Sequence, residues 1–270
     1  MTYDLLLTDL DGTLLNESKN ISRQNRKAVK AAAERGKHII LCSGRSWASM
    51  APFEQVLGLN KPGRYSAAFN GGAAYEAYSG TLLYTHKLGN ALGKELICKL
   101  RGLGADIIAY DNGELIVDRP SQQIDAYSGY VKLEQNLVAD LAELTCDYAK
   151  ILAVGKHESL CEIREAMQPL FAGRCNIAFS ARSLLEFAHV DAHKGTAVNF
   201  FSNFLKIPLC NIIAAGDQEN DIPMIKAAGL GIAVANAVPD VKKAAGYITA
   251  ADNNNHAVDE IIQKFLLGTG

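Results

Sequence analysis

The chain has 270 residues, of which 49% are hydrophobic and 21% charged, and its formal net charge is −2. This composition is sufficient for one large core, or for a core with a smaller second domain. No run of Lys or Arg is long enough for a nucleic-acid track, and neither a signal peptide nor an apolar span is visible. We therefore expect a cytoplasmic protein that binds neither nucleic acid nor membrane.

The first third of the chain alternates between apolar runs and a helical pattern. Tyr3–Thr8 is a near-continuous apolar run that leads into acidic residues, as in a strand buried on both faces of a parallel sheet. A helix is predicted from the N-cap Ser22 to Gly36, which lies just past its end. His38–Cys42 is a second apolar run and closes on Ser43-Gly44, so the order is strand, helix, strand.

The middle of the chain mixes helices with hairpins. Leucines recur at helical spacing between residues 88 and 103, and Asp111-Asn112-Gly113 is a turn signal between the short strands Asp106–Tyr110 and Glu114–Asp118. A strand at 149–154, a helix at 158–171 and strands at 176–179 and 184–187 follow. Hairpins beside helices indicate an α+β unit, over residues 85–185, inserted into a sheet domain formed by residues 1–84 and 186–270.

The alternation of strand and helix returns in the last third. Helices are predicted at 194–205, 221–228 and 257–267, and strands at 211–215 and 230–234. The predicted fold class is therefore α/β, with a Rossmann-like parallel sheet core, helices on both faces, and the inserted α+β unit as a cap.

Asp9-Leu-Asp-Gly-Thr13 is the strongest chemical signal in the sequence. Its two carboxylates follow directly after a buried strand and would repel each other unless a cation or a shared proton lay between them. Gly12 permits a sharp turn at this point. In open α/β sheets ligands bind at the carboxyl ends of the strands. The alternative for the segment alone is a solvated acidic turn.

A second acidic segment, Gly216-Asp-Gln-Glu-Asn-Asp221, follows the predicted strand at 211–215 in the same topological position. Oxygen ligands from two neighbouring loops suit Mg²⁺. The alternative is that this segment only caps the next helix. Ser43-Gly44 offers a hydroxyl and backbone N–H groups for an anion. Lys194, at the start of a predicted helix, could neutralise phosphate charge.

Taken together, these segments identify a family resemblance. Asp9–Thr13, Ser43-Gly-Arg45, Lys194-Gly195 and Gly216–Asp221 match, in order, the motifs of the haloacid dehalogenase superfamily, specifically its Cof-type phosphatases with a large α/β cap. Asn70-Gly-Gly72 and Ala235-Asn-Ala237 resemble further stretches of this branch. The resemblance covers nearly the whole chain, including the position of the cap, and it is specific only as a combination.

The resemblance implies a role for each matching residue. Asp9 would be the nucleophile that forms an aspartyl-phosphate, and Asp11 the general acid and then the base. Asp9, the backbone carbonyl of Asp11, and Asp217 would bind Mg²⁺, while Asp221 would orient Lys194 or a water on the metal. The groups that would hold the phosphoryl group belong to Leu10, Ser43, Gly44, Lys194 and Asn220.

The resemblance further implies a monomer or weak homo-oligomer that hydrolyses small phosphorylated metabolites, such as sugar, flavin or pyridoxal phosphates. A phosphosugar mutase of the same superfamily is an alternative, because it would share the site and return the phosphoryl group to its sugar. A non-enzymatic phospho-acceptor is a third hypothesis. Asp11 argues against it, because an acceptor that keeps its phosphate needs no acid/base.

Overall fold

A computed structural model describes residues 3–268. The chain forms two compact units: the core unit holds the residues up to Tyr84 and from His193 onward, and the insert holds Thr85–Ala192. The strands are β1 (Leu5–Thr8), β2 (His38–Cys42), β3 (Tyr65–Ala68), β4 (Ala73–Glu76), β5 (Leu82–Thr85), β6 (Asp106–Asp111), β7 (Glu114–Val117), β8 (Gln135–Leu137), β9 (Lys150–Val154), β10 (Asn176–Ala181), β11 (Leu184–Ala188), β12 (Ile212–Gly216), β13 (Leu230–Ala233) and β14 (Tyr247–Ile248). The helices are α1 (Arg23–Glu34), α2 (Trp47–Leu57), α3 (Asn90–Gly102), α4 (Gln122–Val131), α5 (His157–Phe171), α6 (Lys194–Leu205), α7 (Ile222–Ala227), α8 (Pro239–Ala244) and α9 (Ala257–Ile261), which continues as a π-helix over Ile262–Leu267.

The core unit is built on a sheet with the strand order β14-β13-β12-β1-β2-β3-β4-β5. The pairs from β14 to β3 are parallel, as predicted, whereas β4 is antiparallel to β3. The predicted parallel core sheet thus carries an antiparallel strand at this edge. The reason is local: a single 3₁₀ turn at Phe69–Gly71 returns the chain beside β3, and a short connection permits only an antiparallel neighbour.

Burial along β1 shows that this sheet is covered on both faces. Leu5 and Leu7 lie in a cluster with the α6 residues Val198 and Phe201, and Leu6, which points to the opposite face, is equally inaccessible. On that side α1 packs against β2 and α9. This arrangement confirms the predicted Rossmann-like core, and it leaves the strand ends as the place where polar groups can converge.

The insert is a separate α+β unit with the strand order β10-β11-β9-β6-β7-β8. All of its described strand pairs are antiparallel except β7 with β8. The predicted hairpin is confirmed: β6 and β7 are joined by Asn112 and Gly113, both with positive φ, as a two-residue turn requires. Side chains of α3 and α5 cover one face of this sheet.

Several details differ from the sequence prediction. β11 continues to Ala188 as one strand paired with β9 and β10, so the insert extends past residue 185, to Ala192. The six cysteines are free, and of these Cys42 and Cys175 are buried. Within residues 3–268, no helix combines the length and apolar composition needed to cross a bilayer.

Candidate active site

The site lies at the carboxyl ends of three adjacent parallel strands. β12, β1 and β2 are neighbours in the sheet, and they lead directly into Asp217, Asp9 and Ser43. The backbone N–H of Asp9 still donates to the carbonyl of Ala215, at 2.9 Å, so the first acidic loop begins in register with the second. Parallel pairing therefore brings together segments that lie up to two hundred residues apart.

Lys194 is the central cation of the site. It is the first residue of α6, it is completely inaccessible, and its Nζ lies 2.5 Å from Oδ1 of Asp9 and 2.5 Å from Oδ1 of Asp221. Burial alone would lower the pKa of Lys194, but Asp221 and Asp9 more than offset this effect, and the pKa lies above its ordinary value. Lys194 is thus held as a permanent positive charge between two carboxylates.

The acidic groups around Lys194 outnumber it. Asp9, Asp217 and Asp221 are all buried, and one carboxylate oxygen from each lies within 4.8 Å of the others. Burial raises the pKa of Asp9 well above its ordinary value, against the opposing charge of Lys194, and raises the pKa of Asp217 to about 7. A divalent cation with oxygen ligands would relieve this excess of negative charge, so the donor set fits Mg²⁺.

Asp221 uses both of its carboxylate oxygens within the site. Oδ1 contacts Lys194, whereas Oδ2 accepts the backbone N–H groups of Asp217, at 2.8 Å, and Gln218, at 2.9 Å. This close approach requires glycine at position 216, where a Cβ would lie 2.3 Å from the Asp221 carboxyl carbon. Asp221 thus binds Lys194 and also closes the capping box of the 3₁₀ turn Glu219–Asp221, whereas its side chain does not cap α7.

Asp11 is held differently from Asp9. Its carboxylate is partly exposed and accepts two hydrogen bonds from the guanidinium of Arg45, from Nε at 2.7 Å and from Nη2 at 3.0 Å. Lys19 Nζ lies 3.3 Å from the same group. The Asp11 side chain thus lies outside the cluster of three carboxylates, beside two cations.

The turn after β1 is shaped to receive Asp217. Gly12 has a φ of +83°, and a Cβ there would lie 2.4 Å from an Asp217 carboxylate oxygen. The hydroxyl of Thr13 donates to Oδ1 of Asp217 at 2.9 Å. Asn236, in the stretch that resembles the family's last conserved segment, donates to the carbonyl of Gly12 at 2.7 Å. Thr13 therefore holds the Asp217 carboxylate directly, and Asn236 holds the Gly12 turn that lies against it.

A second set of contacts ties the Ser43 loop to the loop after β3. The carbonyl of Ser43 accepts the N–H of Asn70 at 2.8 Å, and Asn70 Oδ1 accepts the side-chain amide of Asn220 at 2.8 Å. Phe69, Asn70 and the next residue all have positive φ, a strained conformation for the first of them. Ser43, Asn70 and Asn220 are buried together as a connected polar group.

The comparisons with known proteins agree with this geometry. The sequence profile of the haloacid dehalogenase-like hydrolases matches residues 6–262, nearly the whole chain.

The chain belongs to the haloacid dehalogenase-like hydrolases.

Individual relatives of this hydrolase are distant but cover its full length. YxeH of Bacillus subtilis is 29% identical over 268 residues, covering 98% of this chain and 99% of the relative. The pyridoxal phosphate phosphatase YbhA of Escherichia coli is 25% identical over 278 residues, covering 99% and 100% of the two chains. A haloacid dehalogenase-like hydrolase from Bacteroides thetaiotaomicron of known structure is 30% identical, covers 97% and 99% of the two chains, and superposes with a TM-score of 0.86. The prediction of a hydrolase of the phosphatase class is confirmed.

The structure of this hydrolase also shows contacts and positions of site residues that the sequence motifs did not indicate. Arg45 was noted only as part of a motif, yet it is the principal partner of Asp11. Ser43 and Gly44 lie in the loop before α2, which begins at Trp47 with Ser46 as its N-cap. The Leu10 side chain is completely buried, so only the backbone of this predicted phosphate-binding residue can serve a ligand. The signal for Arg45 was its place directly after Ser43-Gly44.

Proposed function

We propose that this hydrolase is a Mg²⁺-dependent phosphatase that cleaves small phosphate monoesters through a phosphoryl group transferred to Asp9. The observation that carries the proposal is the buried position of Lys194, 2.5 Å from both Asp9 and Asp221, with Asp217 alongside. A nucleophilic carboxylate needs a cation beside it when its target is an anion. Here Lys194 is that cation. Because the buried carboxylates outnumber it, the site can also hold a second cation.

Asp9, Asp217 and the backbone carbonyl of Asp11 would hold the Mg²⁺ ion, with Asp221 bound to Lys194 instead. When bound, the ion supplies positive charge that reduces repulsion between the Asp9 carboxylate and the anionic ester. The remaining charge is offset by Lys194. Phosphoryl transfer depends mainly on positioning and on such charge compensation.

In the proposed first step, a carboxylate oxygen of Asp9 forms a bond to phosphorus as the bond from phosphorus to the ester oxygen breaks. A protonated Asp11 gives its proton to the departing oxygen, which leaves as the alcohol. In the second step, water attacks phosphorus and Asp11 takes a proton from it. Inorganic phosphate leaves, and the Asp9 carboxylate and protonated Asp11 are restored.

Arg45 and Lys19 have a role in this scheme because both contact the acid/base residue. Their charges favour the ionised form of Asp11, which is the form that must accept the proton from water. To act as the acid, Asp11 has to give up its contacts with Arg45 and Lys19 and bind a proton. It then donates that proton to the ester oxygen. We propose that Arg45 holds the ionised Asp11 in place between the two steps and serves as its positioning residue.

The substrate class in this proposal is a small phosphorylated metabolite. The pyridoxal phosphate specificity of YbhA makes pyridoxal 5′-phosphate a first compound to test, together with hexose phosphates and flavin mononucleotide. The panel includes a hexose 1-phosphate, since formation of hexose 6-phosphate without release of phosphate would identify a mutase. Each compound is tested with Mg²⁺ and after removal of divalent ions with EDTA.

The decisive variant is Asp9→Asn, in which an amide replaces the nucleophile at almost constant volume. We expect phosphate release to fall by at least ~10³-fold, with folding retained by circular dichroism. Asp240→Asn, on the exposed surface of α8, is the matched control and should keep full activity. Near-normal phosphate release by Asp9→Asn, or undiminished activity in EDTA, would contradict the proposal.

A further inference from the structure

A second group of metal-ligating side chains lies in the insert and shares no residue with the acidic cluster. His86, His189 and Asp191 each offer one ligand atom, and these atoms lie within 4.8 Å of one another. His86 directly follows β5, and His189 directly follows β11. The sequence did not indicate this group because its two halves are about a hundred residues apart and share no short spacing.

The two imidazole rings have the separation that a shared ion requires. Their centroids are 5.4 Å apart and their planes differ by 20°. With a Zn–N distance of about 2.05 Å, each centroid lies about 3.2 Å from the ion, so tetrahedral ligation places two centroids about 5.2 Å apart. The observed separation is within a few tenths of an ångström of this value.

The carboxylate lies at a similar spacing. Oδ2 of Asp191 is 3.7 Å from Nδ1 of His189, and two ligand atoms on one tetrahedral zinc ion are about 3.4 Å apart. Nδ1 of His189 also accepts the backbone N–H of Asp191 at 3.1 Å. An ion on that nitrogen would replace this hydrogen bond, at small cost because Asp191 is exposed and water can take the N–H.

We propose that His86, His189 and Asp191 bind a divalent transition-metal ion of the zinc type, with water in the remaining position. Two imidazoles and one carboxylate are a donor set that Zn²⁺, Ni²⁺ and Cu²⁺ prefer, whereas Mg²⁺ prefers oxygen ligands alone. The chain would then hold two chemically distinct metal sites. The acidic cluster takes the hard ion and the imidazole group takes the softer one.

The position of the group gives such an ion a structural consequence. The chain enters the insert between Tyr84 and Thr85 and leaves it between Ala192 and His193. His86 follows the entry, and Asp191 precedes the exit. An ion shared by these residues would cross-link the two segments, and it would raise the thermal stability of the protein as the free ion concentration rises above the dissociation constant.

The test is isothermal titration of Zn²⁺ into the full chain, kept saturated with Mg²⁺. We expect one zinc site whose affinity falls at least ~10-fold in His86→Gln and in His189→Gln. The site should persist in Asp217→Asn, which disables the acidic cluster, and in His256→Asn, a control imidazole whose φ of +70° asparagine tolerates. Ring ¹⁵N shifts of His86 and His189 should move on Zn²⁺ addition, and the melting temperature should rise.

Three results would overturn the proposal. If zinc binding survives unchanged in both His86→Gln and His189→Gln, the ion binds elsewhere, for example at the exposed thiols Cys98 and Cys210. If it disappears in Asp217→Asn but not in the histidine variants, zinc occupies the acidic cluster instead. Failure of zinc to bind the unaltered chain at all would have the same consequence, whatever the phosphatase assays show.

Discussion

Glu54 is a buried carboxyl group whose ionisation should limit the stability of the core unit. It lies in α2, it is 1% exposed, and neither of its oxygens has a hydrogen-bond partner within the described part of the chain. Burial raises the pKa of Glu54 from 4.5 to about 7, and the nearby Ser66 and Trp47 oppose this only in part. Folding therefore binds a proton that the unfolded chain releases near pH 4.5.

The sign and size of the effect follow from linkage. Because the folded-state pKa is higher than the unfolded value, stability is fully present below pH 4.5 and is lost as the pH rises to about 7. The difference between these two values corresponds to roughly 3 kcal/mol of unfolding free energy. In Glu54→Gln this pH-dependent loss should vanish, so at pH 8 the unfolding free energy of the variant should exceed that of the unaltered chain by up to about 3 kcal/mol. The unpaired buried amide of the glutamine should reduce this gain by about 1 kcal/mol.

The assay is urea unfolding of both proteins at pH 5 and pH 8, followed by circular dichroism. We expect the stability of the variant, relative to that of the unaltered chain, to be higher at pH 8 than at pH 5. Glu34→Gln, on the exposed surface of α1, is the matched control and should show no such gain. An equal stability difference between the Glu54 variant and the unaltered chain at both pH values would refute the reasoning.

Three further predictions concern the site. Lys194→Met should abolish phosphate release and lower the urea midpoint, because it leaves buried carboxylates unpaired; full activity would contradict it. Arg45→Ala should lower kcat by about 10-fold for alkyl phosphates but less for aryl phosphates, whose leaving groups need little help from Asp11; equal loss for both would exclude a positioning role. Gly12→Ala, whose Cβ would displace Asp217, should raise the Mg²⁺ concentration needed for half-maximal activity by about 10-fold; an unchanged Mg²⁺ dependence would argue that Asp217 is not a ligand.

The sequence predicted those elements of the core unit that carry clear local signals, which are β1, α1, β2, α6, β12, α7, β13 and α9. Buried parallel strands appear as continuous apolar runs, which is why His38–Cys42 was predicted with its exact bounds. Ser22 caps α1 through its side chain, as its residue type indicates. The antiparallel β4 and the short α8 escaped prediction, because neither carries a periodic pattern long enough to be recognised.

In the candidate site, too, some features follow from the sequence and others only from the tertiary structure. The sequence by itself determined which chemistry is available: Asp9, Asp11 and Asp217 follow buried strands, and carboxylates in that position need a cation. Only the tertiary structure decided which charges meet. It places Lys194 between Asp9 and Asp221, and it pairs Asp11 with Arg45, because parallel strand order rather than sequence spacing sets the distances between loops.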